Sequence, residues 1–186
     1  MNDQALLRRQ VRLQREAQAL VERLRLFEIL GHGGRVVPLG SAVTGLMVWR
    51  DLDFGVDGSG LDRGRAWETV RPLLGSCSSL SYVDERHHHH RHYYVIGIDG
   101  WKLDLSLWSD GIPPAVESFQ ADLIARLTDQ RRTILLRLKQ AWHALPTYPE
   151  VVSAWQIYDA VLEHDVQTLD ELDAYLDERG FPTRGG

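Results

Sequence analysis

Asp51 and Asp53 stand one residue apart in Arg50-Asp51-Leu52-Asp53-Phe54-Gly55-Val56, and nine residues separate them from Gly40-Ser41. On a strand, side chains alternate, so both carboxylates share one face while Leu52 and Phe54 take the other. Two carboxylates side by side repel unless a cation lies between them. Oxygen-only ligands of this kind suit Mg²⁺ shared with a substrate's phosphates. Gly40-Ser41 follows the apolar run Val36-Val37-Pro38-Leu39 and reads as a small-residue turn opening a helix. Free backbone N–H groups at such a turn can hold phosphate. These residue types at this spacing point to phosphoryl or nucleotidyl transfer.

A third carboxylate, Asp104, interrupts an otherwise apolar strand. Asp99-Gly100 separates the runs His92 to Ile98 and Trp101 to Leu107, a hairpin signal of type I′. That turn sets Ile98 opposite Trp101, Ile96 opposite Leu103 and Val95 opposite Asp104. Asp104 then shares a face with Lys102, Ser106, Tyr93, Val95 and Gly97, while Leu103 and Leu105 face a core. Lys102 lies roughly 7 Å from Asp104 along the strand. Odd-numbered Arg91 falls on the same face, and both cations are candidate nucleotide-binding residues. The preceding run His87-His88-His89-His90 leads into this strand. Consecutive residues on an extended segment point to both sides, so the run reads as a solvent-exposed loop or strand start rather than a zinc site.

The elements that position these residues follow from periodicity. Residues 3–30 read as one long helix with the stripe Leu6, Leu13, Ala17, Leu20, Leu24 and Phe27, ended by Gly31-His32-Gly33-Gly34. A strand at 36–39, a helix at about 41–48 and the acidic strand at about 49–56 come next, then a helix at 65–74 and a strand at 79–85. Beyond Pro113-Pro114 the chain reads as helical: one long helix to about Leu145, a second from about Pro149 with Val151, Trp155, Tyr158 and Leu162 at helical spacing, and a third opened by the capping box Thr168-Leu169-Asp170-Glu171. The fold class is α/β (α+β), a small mixed twisted sheet with flanking helices, divided into residues 1–112 and a helical region 113–186.

Composition sets the outer bounds. The 186 residues suffice for a proper core, and 44% apolar with 25% charged residues is ordinary for a globular chain. The single Cys77 excludes a disulfide framework and fits a reducing cytosol, so a cytoplasmic location is expected. No apolar run approaches the roughly 20 residues that span a bilayer, and the polar N-terminus does not read as a signal peptide. A net charge of −5 argues against a nucleic-acid substrate. The arginines crowding the first helix read as a solvated face.

Taken together, Gly40-Ser41, Asp51, Asp53 and Asp104 resemble the polymerase-β-type nucleotidyltransferase superfamily, whose signature is an apolar residue, Gly-Ser, a short gap, Asp-x-Asp and a later acidic strand residue. The resemblance covers about residues 20–108. It departs from the Gly-Ser-x-Arg-x-Gly form of many small members: Gly45 is kept, but Val43 replaces the Arg, and Arg50 precedes Asp51 where those members have Ser. The resemblance implies that Asp51 and Asp53 are metal ligands and Asp104 a third ligand or the general base. It implies one or two Mg²⁺ (or Mn²⁺) ions and a nucleoside triphosphate, ATP foremost, as co-substrate. Ser41 and the backbone around Gly40 would contact the β- or γ-phosphate. The implied activity is transfer of a nucleoside monophosphate to a hydroxyl of a small molecule or protein. Two other readings of the same fold are a toxin–antitoxin component with a partner protein, and a catalytically weak nucleotide-binding or interaction module.

Overall fold

Five strands, β1 (Arg35–Leu39), β2 (Asp51–Asp57), β3 (Ser79–Asp84), β4 (Arg91–Ile98) and β5 (Trp101–Trp108), form one sheet in the order β1-β2-β5-β4-β3. The computed structural model describes residues 2–185. β2 and β5 run parallel and the other neighbours antiparallel, giving the mixed sheet expected from sequence. Asp99 and Gly100 both take positive φ, 51° and 74°, as a type I′ turn requires. The register follows, with Ile98 opposite Trp101 and Val95 opposite Asp104.

One face of the sheet is core. Leu52, Phe54, Val56, Ile96, Ile98, Leu103, Leu105 and Leu107 are all buried there. Leu13, Ala17, Leu20, Leu26 and Leu30 from the N-terminal helices and Ala66 and Val70 from α4 (Arg63–Val70) join the same cluster. With Leu and Val or Phe at every second position of β2 and β5, the strands' inward faces leave the polar positions to the opposite surface.

The predicted helix 3–30 is two helices, α1 (Asp3–Leu24) and α2 (Leu26–Gly31), broken at Arg25 with φ 53°. The break rotates the chain, so Leu26 and Leu30 are fully buried while Phe27, on the continued stripe, is 49% exposed. The helix expected at 41–48 is the single turn α3 (Gly40–Thr44), stopped by Gly45 at φ 71°. The 65–74 helix begins at Arg63 and passes into a 3₁₀ turn at Arg71–Ser76. The histidines His87 to His90 are exposed, as expected, but on the short helix α5 (Arg86–His89) and its end. His92 closes the run differently. It is fully buried, its ring bridges the Tyr82 hydroxyl at 3.0 Å and the Leu61 carbonyl at 3.2 Å, and burial lowers its pKa, favouring the neutral ring.

The chain divides into two compact units: Arg12 to Ile124, which holds the sheet, and the residues up to Val11 together with those from Ala125 onward. The sequence puts a division at 112/113, whereas the sheet unit runs on through most of α6 (Pro114–Arg126). The single helix expected to Leu145 is α6 and α7 (Asp129–Trp142), because the Thr128 side chain caps α7 by accepting from the Arg131 amide at 3.2 Å. α8 (Ala154–Glu163) starts later than expected, behind a Ser153–Gln156 capping box, and buries Ile157, Tyr158 and Val161 while Trp155 stays 54% exposed. α9 (Leu169–Asp177) carries the predicted Thr168–Glu171 capping box. Among the described residues no helix is long and apolar enough to cross a membrane.

Candidate active site

Opposite the core face, the register of β2 against β5 aligns Asp51 with Lys102 and Asp53 with Asp104. Residues directly opposed on neighbouring strands point to the same side. A carboxylate oxygen from each of Asp51, Asp53 and Asp104 accordingly lies within 4.8 Å of the others. Asp51 is buried and the other two are partly buried. Asp104 Oδ1 is buried and accepts no hydrogen bond. Desolvated carboxylate oxygens this close repel strongly, and an acceptor atom left without a donor is expensive inside a protein. An all-oxygen donor set with that deficit fits a hard divalent cation, and these three aspartates would hold it.

Lys102 supplies the positive charge that the chain itself brings. Its Nζ donates to Asp104 Oδ2 at 2.8 Å and lies 3.9 Å from Asp51 Oδ1. Burial pulls its pKa down, but Asp51 and Asp104 more than offset this, and the ammonium is held above the ordinary lysine range. Lys102 thus reaches the carboxylates with a side chain that stays 41% exposed. Tyr93, on β4 beside them, has its hydroxyl pKa pushed up to about 12 by burial and by Asp104.

Gly40-Ser41 reaches the same surface from β1. Leu39 is paired with Asp53, so the chain leaves β1 at the level of the acidic pair. Gly40 takes φ +69°, and a Cβ built there would lie 2.0 Å from Asp53 Oδ2. Only glycine permits both the left-handed backbone and that approach. At Gly55 the restriction is steric alone, since a Cβ there would lie 2.8 Å from the Trp108 ring, which lies across this face. Ser41 is buried on the first turn of α3. Gly40→Ala is therefore expected to cost about 1–2 kcal/mol through backbone strain alone and to displace Asp53. If the site is catalytic, a displacement near 1 Å lowers kcat/KM about 100-fold; wild-type kinetics in the variant would show that the close approach has no role.

Arg91 is not brought to the triad. It is paired with Trp108, four residues along β5 from Asp104. Its guanidinium donates to Glu85 at 2.6 Å and to the Ser106 hydroxyl at 2.9 Å, and lies over the Tyr93 ring. Arg50, the residue before Asp51, points the other way and pairs with Glu16 at 2.9 Å. Val43, at the position of the family's frequent Arg, is 37% exposed.

One participant has no signal in the sequence. The Gly40 amide donates to Gln120 Oε1 at 2.9 Å, and Gln120 Nε2 donates to the Pro38 carbonyl at 3.2 Å. Gln120 lies on α6, far along the chain from the motif, and helical periodicity alone makes it an unremarkable polar position.

No protein-family model matches the chain, and no curated protein matches it. Solved structures do. It is similar to the Cid1 poly(U) polymerase with MgGTP bound, at a TM-score of 0.58 and 14% identity, over 82% of this chain and 50% of that one. It is similar to the polymerase core of TRAMP, an RNA surveillance complex, at 0.57 and 12%, over 89% and 59%. It is also similar to terminal uridylyl transferase 4 from Trypanosoma brucei with bound UPU, at 0.50 and 12%, over 98% and 61%. The chain spans about half the length of the first of these. One of these structures is described as the polymerase core of an RNA surveillance complex, and the expectation from net charge that nucleic acid is an unlikely partner is not supported. The mixed five-stranded sheet, with an Asp-x-Asp strand beside a third acidic strand and a Gly-Ser turn at its edge, has the fold of the polymerase-β-like nucleotidyltransferases.

Proposed function

We propose that this protein is a metal-dependent nucleotidyltransferase, moving a nucleoside monophosphate from a nucleoside triphosphate to an acceptor hydroxyl. The observation that carries this reading is the convergence of Asp51, Asp53 and Asp104 oxygens within 4.8 Å on one sheet surface. Mg²⁺ or Mn²⁺ held there would neutralise triphosphate charge and lower the pKa of the attacking hydroxyl.

The chain's own residues do the rest. Ser41 and its turn orient the β- and γ-phosphates at the edge of the triad. Lys102 adds positive charge on the same surface. Asp104 Oδ1, with no hydrogen-bond donor of its own, accepts the acceptor hydroxyl's proton or serves as a ligand. The acceptor oxygen forms its bond to the α-phosphorus as the bond to the pyrophosphate oxygen breaks, in line.

The acceptor we favour is a hydroxyl of a small molecule or a protein, as the family resemblance of the motif implies. A second reading, the 3′-hydroxyl of RNA, is favoured by the likeness to structures described as an RNA terminal U-transferase and a poly(U) polymerase. One assay separates them. The protein is incubated with Mg²⁺ and each labelled nucleoside triphosphate in turn, with ATP as the expected donor, in the presence of an RNA oligonucleotide or of cell extract split into RNA, protein and small-molecule fractions. Label in one fraction names the acceptor. Tight nucleotide binding with no label anywhere would replace catalysis with the interaction-module reading. Replacing His87 to His90 with Ser serves as the control and should leave turnover within about twofold, since these side chains are exposed and outside the triad.

A further inference from the structure

We infer that Gln120 is a positioning residue of the nucleotide site, a side-chain amide that clips the Gly40-Ser41 turn in the place where it meets Asp53. The inference rests on the nucleotidyl-transfer reading above. β1 is an edge strand, so the outer polar groups at its end have no strand to pair with. Gln120 takes that role with a single side chain. Its Oε1 accepts from the Gly40 amide at 2.9 Å and its Nε2 donates to the Pro38 carbonyl at 3.2 Å, so it holds the backbone on both sides of Leu39. A carboxamide offers one acceptor and two donors on a planar head, which matches this pair; a carboxylate can match only the acceptor half.

The surroundings show that the clip is built. One turn earlier on the same helix, Glu117 accepts from Arg35 at 2.7 Å, and Arg35 opens β1. Positions three apart on a helix share a face, so α6 is anchored to β1 near both ends of the strand. From the other side the Gln14 side chain donates to the Ala42 carbonyl at 2.8 Å, holding α3 against α1. The turn is thereby fixed between α1 and α6, and its freedom is further limited by the contact of Gly40 with Asp53, where even a methyl group would not fit. With Gln120 removed, the Gly40 amide and the Pro38 carbonyl lose their partners, and the turn can move away from the acidic pair. Ser41, the next residue, moves with it.

The consequence falls on nucleotide binding more than on the chemical step, because the triad itself is held by the β2–β5 register. Q120A is expected to raise the KM for the nucleoside triphosphate about tenfold, within the modest net worth of the two hydrogen bonds it loses, with kcat within about twofold. The Mg²⁺·ATP-induced rise in melting temperature should shrink in parallel, and amide exchange across residues 40–44 should accelerate without nucleotide. Q120E, of equal size, keeps the packing and the bond from Gly40 but loses the bond to Pro38 and adds a negative charge; its KM should rise at least as much. A merely structural glutamine would lower the melting temperature of the apo protein and leave KM unchanged, which would overturn the inference. So would unaltered exchange at residues 40–44, or a Q120E variant with wild-type KM. A Mg²⁺·ATP response identical in wild type and Q120A overturns this inference alone, whereas no response in the wild type overturns the nucleotide reading and this inference with it.

Discussion

Asp53→Asn is expected to lower turnover by about 1,000-fold or more, and to remove most of the thermal stabilisation that Mg²⁺ with nucleoside triphosphate gives the wild type. Asp53 is the central carboxylate. It is paired with Leu39 on one side and Asp104 on the other, and the Gly40 backbone packs against it. Asparagine keeps the shape and one oxygen but removes the charge. A metal's electrostatic contribution of several kcal/mol corresponds to roughly this loss, at about 1.4 kcal/mol per factor of ten. A ligand at 100 times its Kd stabilises the native state by about 2.7 kcal/mol, and the mutant should forfeit most of that. The apo protein should be equally stable or slightly more so, because one of three mutually repelling charges is gone. Differential scanning fluorimetry with and without Mg²⁺·ATP reads both effects, and an unchanged shift in the mutant would place the nucleotide elsewhere.

Asp104→Asn separates catalysis from binding. Turnover should fall by about two to four orders of magnitude, the range typical of a general acid–base group, while nucleotide affinity changes by only a few-fold. Interactions that strengthen in the transition state lower kcat when removed, whereas uniform contacts move KM. The structural reason is that Asp104 Oδ1 carries no hydrogen bond within the chain, which leaves it open to a ligand or a reacting proton under the proposed reading. Lys102 loses its 2.8 Å charged partner in this variant but keeps Asp51 nearby, so the strand pairing should survive. Ser41→Ala should show the opposite balance, with raised KM and nearly unchanged kcat. If Asp104→Asn instead raises KM with kcat intact, Asp104 acts as a ground-state contact and the base or ligand role is lost.

That Asp51 and Asp53 share one face, and that Asp104 turns away from the core, was legible because each depends on local rules; grouping the three rested on the family resemblance and needs β2 beside β5. Period-two alternation put Asp51 and Asp53 on one face, and the Asp99-Gly100 turn dictated register from four residues of sequence. Apolar neighbours at Leu52, Phe54, Leu103 and Leu105 fixed which face was core. The sequence could also rank the exposed histidines as solvated, since no two consecutive strand positions converge.

Other features were settled only by contacts between distant segments. The break at Arg25 leaves no glycine or proline in the sequence; it depends on Leu26 and Leu30 finding the core that a straight helix would have offered Phe27. His92 looks like the four histidines before it as a letter, yet it is buried because β4 carries it inward against Tyr82 and Leu61. Lys102 could be placed on the right face from its spacing, but its ion pair with Asp104 and Asp51 needs β2 beside β5, a parallel pairing that no turn enforces. Gln120 is the extreme case, meeting Gly40 across 80 positions of chain. Local backbone preferences act over a few residues, so they can decide an element and the face it presents; which polar side chain completes a turn from another helix is decided by packing, where whole faces are buried together and the remaining donors and acceptors must find partners in whatever lies opposite.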